Sequence, residues 1–275
     1  MRIHTMPCVP LVCWLILACS AGLAEPDETY SMHPCCMSFV TRTRTAKTVG
    51  EDRLAISLKV REVDYDLKLG DDGNYHELSG RYQKLRTSVS LKYGWAQNHH
   101  VGISMPFMWN DIEAGGTDLR NEGLGNVAIF EKWNFLPESK YLPAIAVDAW
   151  YYLGSGHTDR KLGSTHPFLK LTAEFSKTWP GFGLHLNPVY ALRDGPDCYQ
   201  VNAAVLFTPC RTFWPAIEYN YESFRGKGRT HDIVPCCLWK FRRGWCAKLG
   251  TVINLESTKT YRDRIGLVSK LSCSF

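Results

Sequence analysis

At 275 residues, with 45% hydrophobic and 21% charged residues and a formal net charge of +5, the chain has an ordinary, water-compatible composition. Past the N-terminus it contains no run of 18 or more apolar residues, which excludes membrane-spanning helices. A transmembrane barrel leaves no such run, because its strands alternate between lipid and lumen. The charge is too small to argue for nucleic acid, and no phosphate-binding glycine loop precedes a helix, so no nucleic-acid partner and no cofactor are expected.

The N-terminus reads as an export signal. Arg2 and His4 make a weakly basic start, Leu11, Val12, Trp14, Leu15, Ile16 and Leu17 an apolar core, and Gly22-Leu23-Ala24 a small-residue cleavage site. Residues 1–24 are therefore expected to be a signal peptide. Ile16-Leu17-Ala18-Cys19 also resembles a lipoprotein cleavage site, with Leu17 a poor fit. Residues 25–52 are rich in Pro, Thr and charge and show no period; they are expected to form a periplasmic segment outside the barrel.

From Arg53 to Phe275 the period is two almost throughout. Leu54, Ile56, Leu58 and Val60 alternate with Ala55, Ser57, Lys59 and Arg61, and residues 85–93, 101–109 and 127–133 repeat the pattern. It continues through 141–152, 167–176, 184–192, 199–208, 216–222, 233–241, 245–255 and 264–275. Connections at 96–99, 137–140, 178–181, 209–211 and 242–244 are short, whereas those at 70–80, 113–123, 154–164 and 225–231 are longer and more polar. Alternating tight turns and long loops predict an all-β, transmembrane, antiparallel up-and-down β-barrel of about twelve strands over residues 53–275. Trp95, Trp109, Trp133, Trp150, Trp179, Trp214, Trp239 and Trp245 fall mostly near strand ends, as interfacial girdles require; ordinary core aromatics are the alternative. Ile265, Leu267, Ser269, Leu271, Cys273 and Phe275 share one face of the last strand. A terminal Phe on such a strand is the expected signal to the barrel-insertion machinery, placing a monomer in the lipid of the cell outer membrane.

Val40-Thr41-Arg42-Thr43-Arg44-Thr45-Ala46-Lys47-Thr48-Val49-Gly50 leads straight into the first strand. Gly123-Leu124-Gly125-Asn126-Val127 opens a strand that ends in Glu131-Lys132-Trp133, and Pro143-Ala144-Ile145-Ala146-Val147 precedes Gly154-Ser155-Gly156. Together they resemble the outer-membrane barrel family associated with the meta-pathway of phenol degradation, whose members are described as transporters. Asn126 departs from the Asp usual there. The resemblance covers residues 40–275 and implies a barrel for hydrophobic or aromatic compounds, with no catalytic or substrate residue to carry over.

The residues themselves suggest little chemistry. A rim hydrolase would need Ser and His two apart on one strand face; His99 and His100 precede Ser104 by five and four residues, Ser164 and His166 sit at a loop junction, and His185 has no neighbouring serine. Cys35-Cys36 and Cys236-Cys237 are adjacent pairs, not zinc-ligand spacing, so no metal is expected. Cys35 and Cys36 are the disulfide candidates in an oxidising periplasm. If Phe275, Leu271 and Leu267 face lipid, the same phase turns Lys59, Arg61, Arg86, Lys92, Lys132, Lys170, Lys240, Lys248, Arg264 and Lys270 inward, with Asp148, Glu174, Glu218 and Glu222 as their acidic counterparts. Such a lumen favours anionic solutes, or its charges pair across a closed barrel. Three readings follow: a channel or transport component for small solutes, aromatic, hydrophobic or anionic; a structural or surface-interaction barrel; and an outer-membrane lipid hydrolase.

Overall fold

A computed structural model of the chain describes residues 39–70, 74–114, 117–157, 160, 162–194, 197–225, 228–259 and 261–275. The expected signal peptide, Cys35 and Cys36 lie outside the described residues.

The strands are β1 (Leu54–Leu69), β2 (Tyr75–Ala96), β3 (His99–Ala114), β4 (Thr117–Leu124), β5 (Ala128–Leu136), β6 (Ala144–Tyr152), β7 (Phe168–Trp179), β8 (Phe182–Leu192), β9 (Cys198–Phe207), β10 (Phe213–Phe224), β11 (Gly228–Arg242), β12 (Trp245–Ser257) and β13 (Tyr261–Ser274). Neighbours are antiparallel, and β1 pairs with both β2 and β13, so the sheet closes on itself. Closure matters because backbone groups in hydrocarbon have no water to bond, and a closed ring leaves no open edge. Phe275 completes the seam: its N–H donates to the Leu54 carbonyl at 2.9 Å.

Thirteen strands make twelve staves. β4 pairs with the outer half of β3 (Phe107↔Leu124) and β5 with its inner half (Ser104↔Ala128). They are one stave broken at residues 125–127, beside Pro106, which has no N–H to give a neighbouring strand. The expected alternation of short and long connections holds only in part: residues 137–143 separate β5 from β6, more than the residues 225–227 between β10 and β11, and residues 75–80 and 117–123 of two expected loops are strand. The 22-residue β2 spans roughly 70 Å, far beyond the hydrocarbon layer. Outside the membrane neither face meets lipid, so these extensions carry polar residues on both sides and lose the period-two signal.

Within the bilayer the alternation is clean and inverted relative to a soluble protein. In β8, Gly183, His185, Asn187, Val189 and Ala191 are buried inside while Leu184, Leu186 and Leu192 face out. Exposed Trp95, Trp133, Trp179, Trp239, Phe182, Phe207, Phe213 and Phe275 ring the short-turn end, an aromatic girdle at one interface. Two of the tryptophans expected at the girdle are not there. Trp150 faces the lumen, and Trp214 is buried inside against Phe39, Leu206 and Leu238.

Residues 39–50 depart furthest from expectation: they lie inside the barrel, not outside it. They enter at the short-turn end, where Phe39 and Val40 pack with Ala204, Leu206, Trp214, Val234 and Leu238. They then arch across the lumen and return to β1. Close approach at that return requires glycine: a Cβ on Gly94 would lie 2.0 Å from the Gly50 carbonyl oxygen. The adjacent Asp52 takes a left-handed φ of 55° and donates its N–H to the Gly94 carbonyl at 2.7 Å.

Candidate functional site

Apart from a bridge at Arg44 and a bond from the Phe39 N–H to the Thr43 carbonyl, the arch has no secondary structure to satisfy its backbone, so lumen side chains do it instead. Glu218 of β10, fully buried, accepts from the N–H groups of Val40 (2.8 Å), Thr41 (2.9 Å), Arg42 (3.3 Å) and Thr43 (3.1 Å), and from the Thr41 hydroxyl (2.7 Å). Four successive amides wrapped round one carboxylate form an anion nest whose anion is the barrel's own. Further along, Asn187 of β8 accepts from Arg44 N–H at 2.6 Å, Ser176 of β7 from Ala46 N–H at 2.8 Å, and His100 of β3 from Val49 N–H at 3.1 Å. Lys132 of β5 donates to the Thr45 carbonyl at 3.0 Å.

Three more acidic lumen residues are drawn into this fastening. Arg42 meets Glu222 with its two terminal nitrogens at 3.2 and 3.3 Å, and Lys259 and Gln200 each add a contact to Glu222 at 2.7 Å. Arg44 pairs with Asp148, and Lys132 with Glu174 at 2.6 Å. Burial alone would lower the pKa of the two arch guanidiniums. Glu222 and Asp232 beside Arg42, and Asp148 and Glu174 beside Arg44, outweigh it and hold both above their ordinary value.

The arch leans on β5 to β10, leaving a slot of about 310 Å³ against β13, β1 and β2. That wall is serine and cation: Ser57, Lys59 and Arg61 of β1, Arg86, Ser88, Ser90 and Lys92 of β2, and Lys270 of β13. Nine basic and two acidic side chains line the slot, and both acids, Asp148 and Glu222, already face arch arginines. Register makes the arrangement sharper. Lys248, Lys270 and Lys59 stand directly opposite one another across three adjacent strands, and Arg61 stands opposite Arg86. Like charges directly opposed in a sheet are destabilising, and Lys59 is held there in part by donating to the Thr41 carbonyl at 2.6 Å. A wider vestibule of about 760 Å³ lies towards the long loops and meets the slot at Arg42, Arg61, Arg86 and Glu222.

Of the expected lumen residues, Lys59, Arg61, Arg86, Lys92, Lys132, Asp148, Lys170, Glu222 and Lys270 line the slot. Glu174, Glu218 and Lys248 are buried inside, below or beside it. Lys240 keeps the inward register near the short-turn end but takes no part in the slot, and the Arg264 side chain falls outside the described residues. Sequence reasoning missed Arg42 and Arg44, which lie in the aperiodic segment.

It also missed a Ser–His contact. Ser176 and His185 are register partners across β7 and β8, with Oγ and Nδ1 2.9 Å apart. A search along single strands cannot find a cross-strand pair. Both are buried beneath the arch, His185 stacks obliquely on Phe39, and among the described residues no carboxylate bonds the imidazole. Without an orienting acid or access to substrate, the pair holds Ala46 in place rather than activating a nucleophile. The segments that carry the resemblance also meet: the Asn126 amide oxygen accepts from the N–H groups of Gly156 (3.1 Å) and Ser164 (3.0 Å), and Ser155 Oγ accepts from Val127 N–H at 3.0 Å. These bonds pin the outer loop over the break between β4 and β5.

No family profile matches this chain, and no curated protein does. Solved structures do. The COG4313 outer membrane channel from Pseudomonas putida F1 superposes with a TM-score of 0.68 at 9% identity, covering 84% of this chain and 98% of that one. The KdgM porin, solved in complex with disordered oligogalacturonate, gives a TM-score of 0.50 at 11% identity over 80% of this chain and 99% of its own. At such identities the likeness is one of fold: a twelve-stave outer-membrane barrel.

Proposed function

We propose that the protein is an outer-membrane channel that admits small anions through the cationic slot beside the arch. The observation that carries this reading is the segregation of charge. Glu218, Glu222 and Asp148 are spent on the arch, while Lys92, Lys170, Lys270 and the Arg61–Arg86 pair line the slot. A narrow low-dielectric passage lined by one sign of charge concentrates counter-ions and excludes co-ions. Outer-membrane lipid is the surrounding solvent, and Phe275, two-thirds exposed at the end of the last strand, is where the insertion machinery would read the chain. One chain closes the barrel, in keeping with a monomer.

The dense fastening of the arch favours a second reading, a closed barrel with a structural or surface role. Reversal potentials in a planar bilayer across a KCl gradient separate the two. Stable steps with chloride preferred over potassium support the channel. A folded, heat-modifiable barrel without steps, both as wild type and with the arch unlatched, supports the closed one. Cation preference refutes the charge argument outright.

A further inference from the structure

Across the slot from the lysine row, β5, β6 and β7 carry an aromatic ladder on their lumen faces. Phe130 stacks on Trp150 with centroids 4.0 Å apart and planes within 7°, and Tyr152 stacks on Phe168 at 4.3 Å and 7°. Trp150 and Tyr152 join the two pairs at 6.2 Å. Aromatics belong on the lipid face or in the girdles of a barrel; a lumen is ordinarily polar. The backbone makes room for this one, since a Cβ on Gly102 would stand 2.4 Å from the Phe130 ring.

The ladder sits at the level of the cations. Lys92 Nζ is 5.8 Å from the Phe130 centroid, Arg44 covers Trp150 at 4.2 Å, and Lys170 is the register partner of Trp150. Tyr152, Arg44 and Arg86 line the same slot. The vestibule repeats the chemistry: Lys84 lies 5.1 and 4.9 Å above Tyr65 and Tyr82, and Lys259 and Arg193 lie 4.8 and 4.7 Å above Phe224.

We propose that the slot is a binding site for aromatic monocarboxylates, with the ring against the ladder and the carboxylate facing Arg86, Lys92 and Lys170. The proposal rests on the channel reading and narrows its substrate class. A neutral aromatic would leave Arg86, Lys92 and Lys170 without a counter-charge, and an aliphatic anion would leave the half-buried Trp150 and Tyr152 without a ring partner. A molecule bearing both a π-face and one charge satisfies both walls, and the slot volume suits a single ring.

The test is block of chloride current by benzoate, cyclohexanecarboxylate, acetate and benzyl alcohol, with tryptophan emission of the detergent-solubilised protein as a binding readout independent of conduction. Benzoate should half-block at a concentration about three- to tenfold below cyclohexanecarboxylate, the margin an aromatic contact supplies. Acetate should be weaker still, and benzyl alcohol without effect. Tyr152→Leu should bring the two ring acids together, and Arg86→Gln combined with Lys170→Gln should weaken benzoate by about tenfold or more. Equal potency of the two ring acids, or a benzoate preference that survives Tyr152→Leu, overturns the proposal while leaving an anion channel standing. If no chloride current exists the channel reading falls, and emission decides binding: quenching by benzoate that disappears in Trp150→Phe sustains the site, and its absence in the wild type ends it.

Discussion

Replacing Glu218 with Gln should release the arch while leaving the barrel folded. The carboxylate accepts four backbone N–H groups and one hydroxyl across its two oxygens. The amide keeps one acceptor and turns the other oxygen into a donor. If its oxygen takes the place that serves Val40 and Thr41, the N–H groups of Arg42 and Thr43 lose their partner and face an NH₂ group. Hydrogen bonds to a charged group contribute about 1.5–3 kcal/mol each, so two lost bonds cost about 3–6 kcal/mol. The low end already raises the detached population by about 10²-fold. The stave ladders involve backbone groups that the substitution does not touch. Arg42, Arg44 and Lys47 provide trypsin sites inside the arch, shielded while it is docked. Cleavage after these residues should accelerate about 100-fold in Glu218→Gln, because opening faster than cleavage makes the rate follow the open population. Heat modifiability should persist, and single-channel conductance should rise. Cleavage at the wild-type rate would refute the nest as the latch; loss of the folded barrel would refute its separation from the wall.

Other outcomes follow from the same structure. Lys132→Met leaves Glu174 buried without its 2.6 Å partner and should destabilise the barrel by about 3–5 kcal/mol, read as a lower urea midpoint in lipid; adding Glu174→Gln should recover much of the loss. Anion selectivity should decline between 0.1 and 1 M KCl as the Debye length shrinks from about 10 Å to about 3 Å, a trend that reversal potentials measure directly. Lys270→Glu, at the centre of the lysine row, should carry selectivity towards cations without loss of folding, since it gives Lys59 and Lys248 an opposite charge. Gly94→Ala drives a methyl into the Gly50 carbonyl, so trypsin should find the arch in that variant far faster than in the wild type.

Much of the architecture was legible in the residues because the determinant is local. A strand in a bilayer must alternate, so phase alone assigned most of the expected lumen charges to the inner face where they lie. The series of alternating segments then gave about twelve staves, which the closed ring of twelve bears out. Where both faces of a strand meet water, as over residues 75–80 and 117–123, the same rule falls silent and loops were expected instead. The split between β4 and β5 was hidden for a related reason, since a polar strand and a polar loop look alike.

Phase says which face a side chain takes but not what lies across the lumen from it. Glu218 and Lys92 read alike as inward charges, yet one is consumed by four amides of the arch and the other lines the slot. Ser176 and His185 became partners only through register, and Phe130, Trp150, Tyr152 and Phe168 became a ladder only when three strands lay side by side. Residues 39–50 have no period because their backbone bonds to side chains of the wall, some 18 to 178 residues distant in the chain. The sequence by itself determined a transmembrane barrel and the inward face of its charges, since lipid imposes its demand one residue at a time. Tertiary structure alone decided which of those charges remain open to a solute, because that depends on groups brought together by closure of the ring.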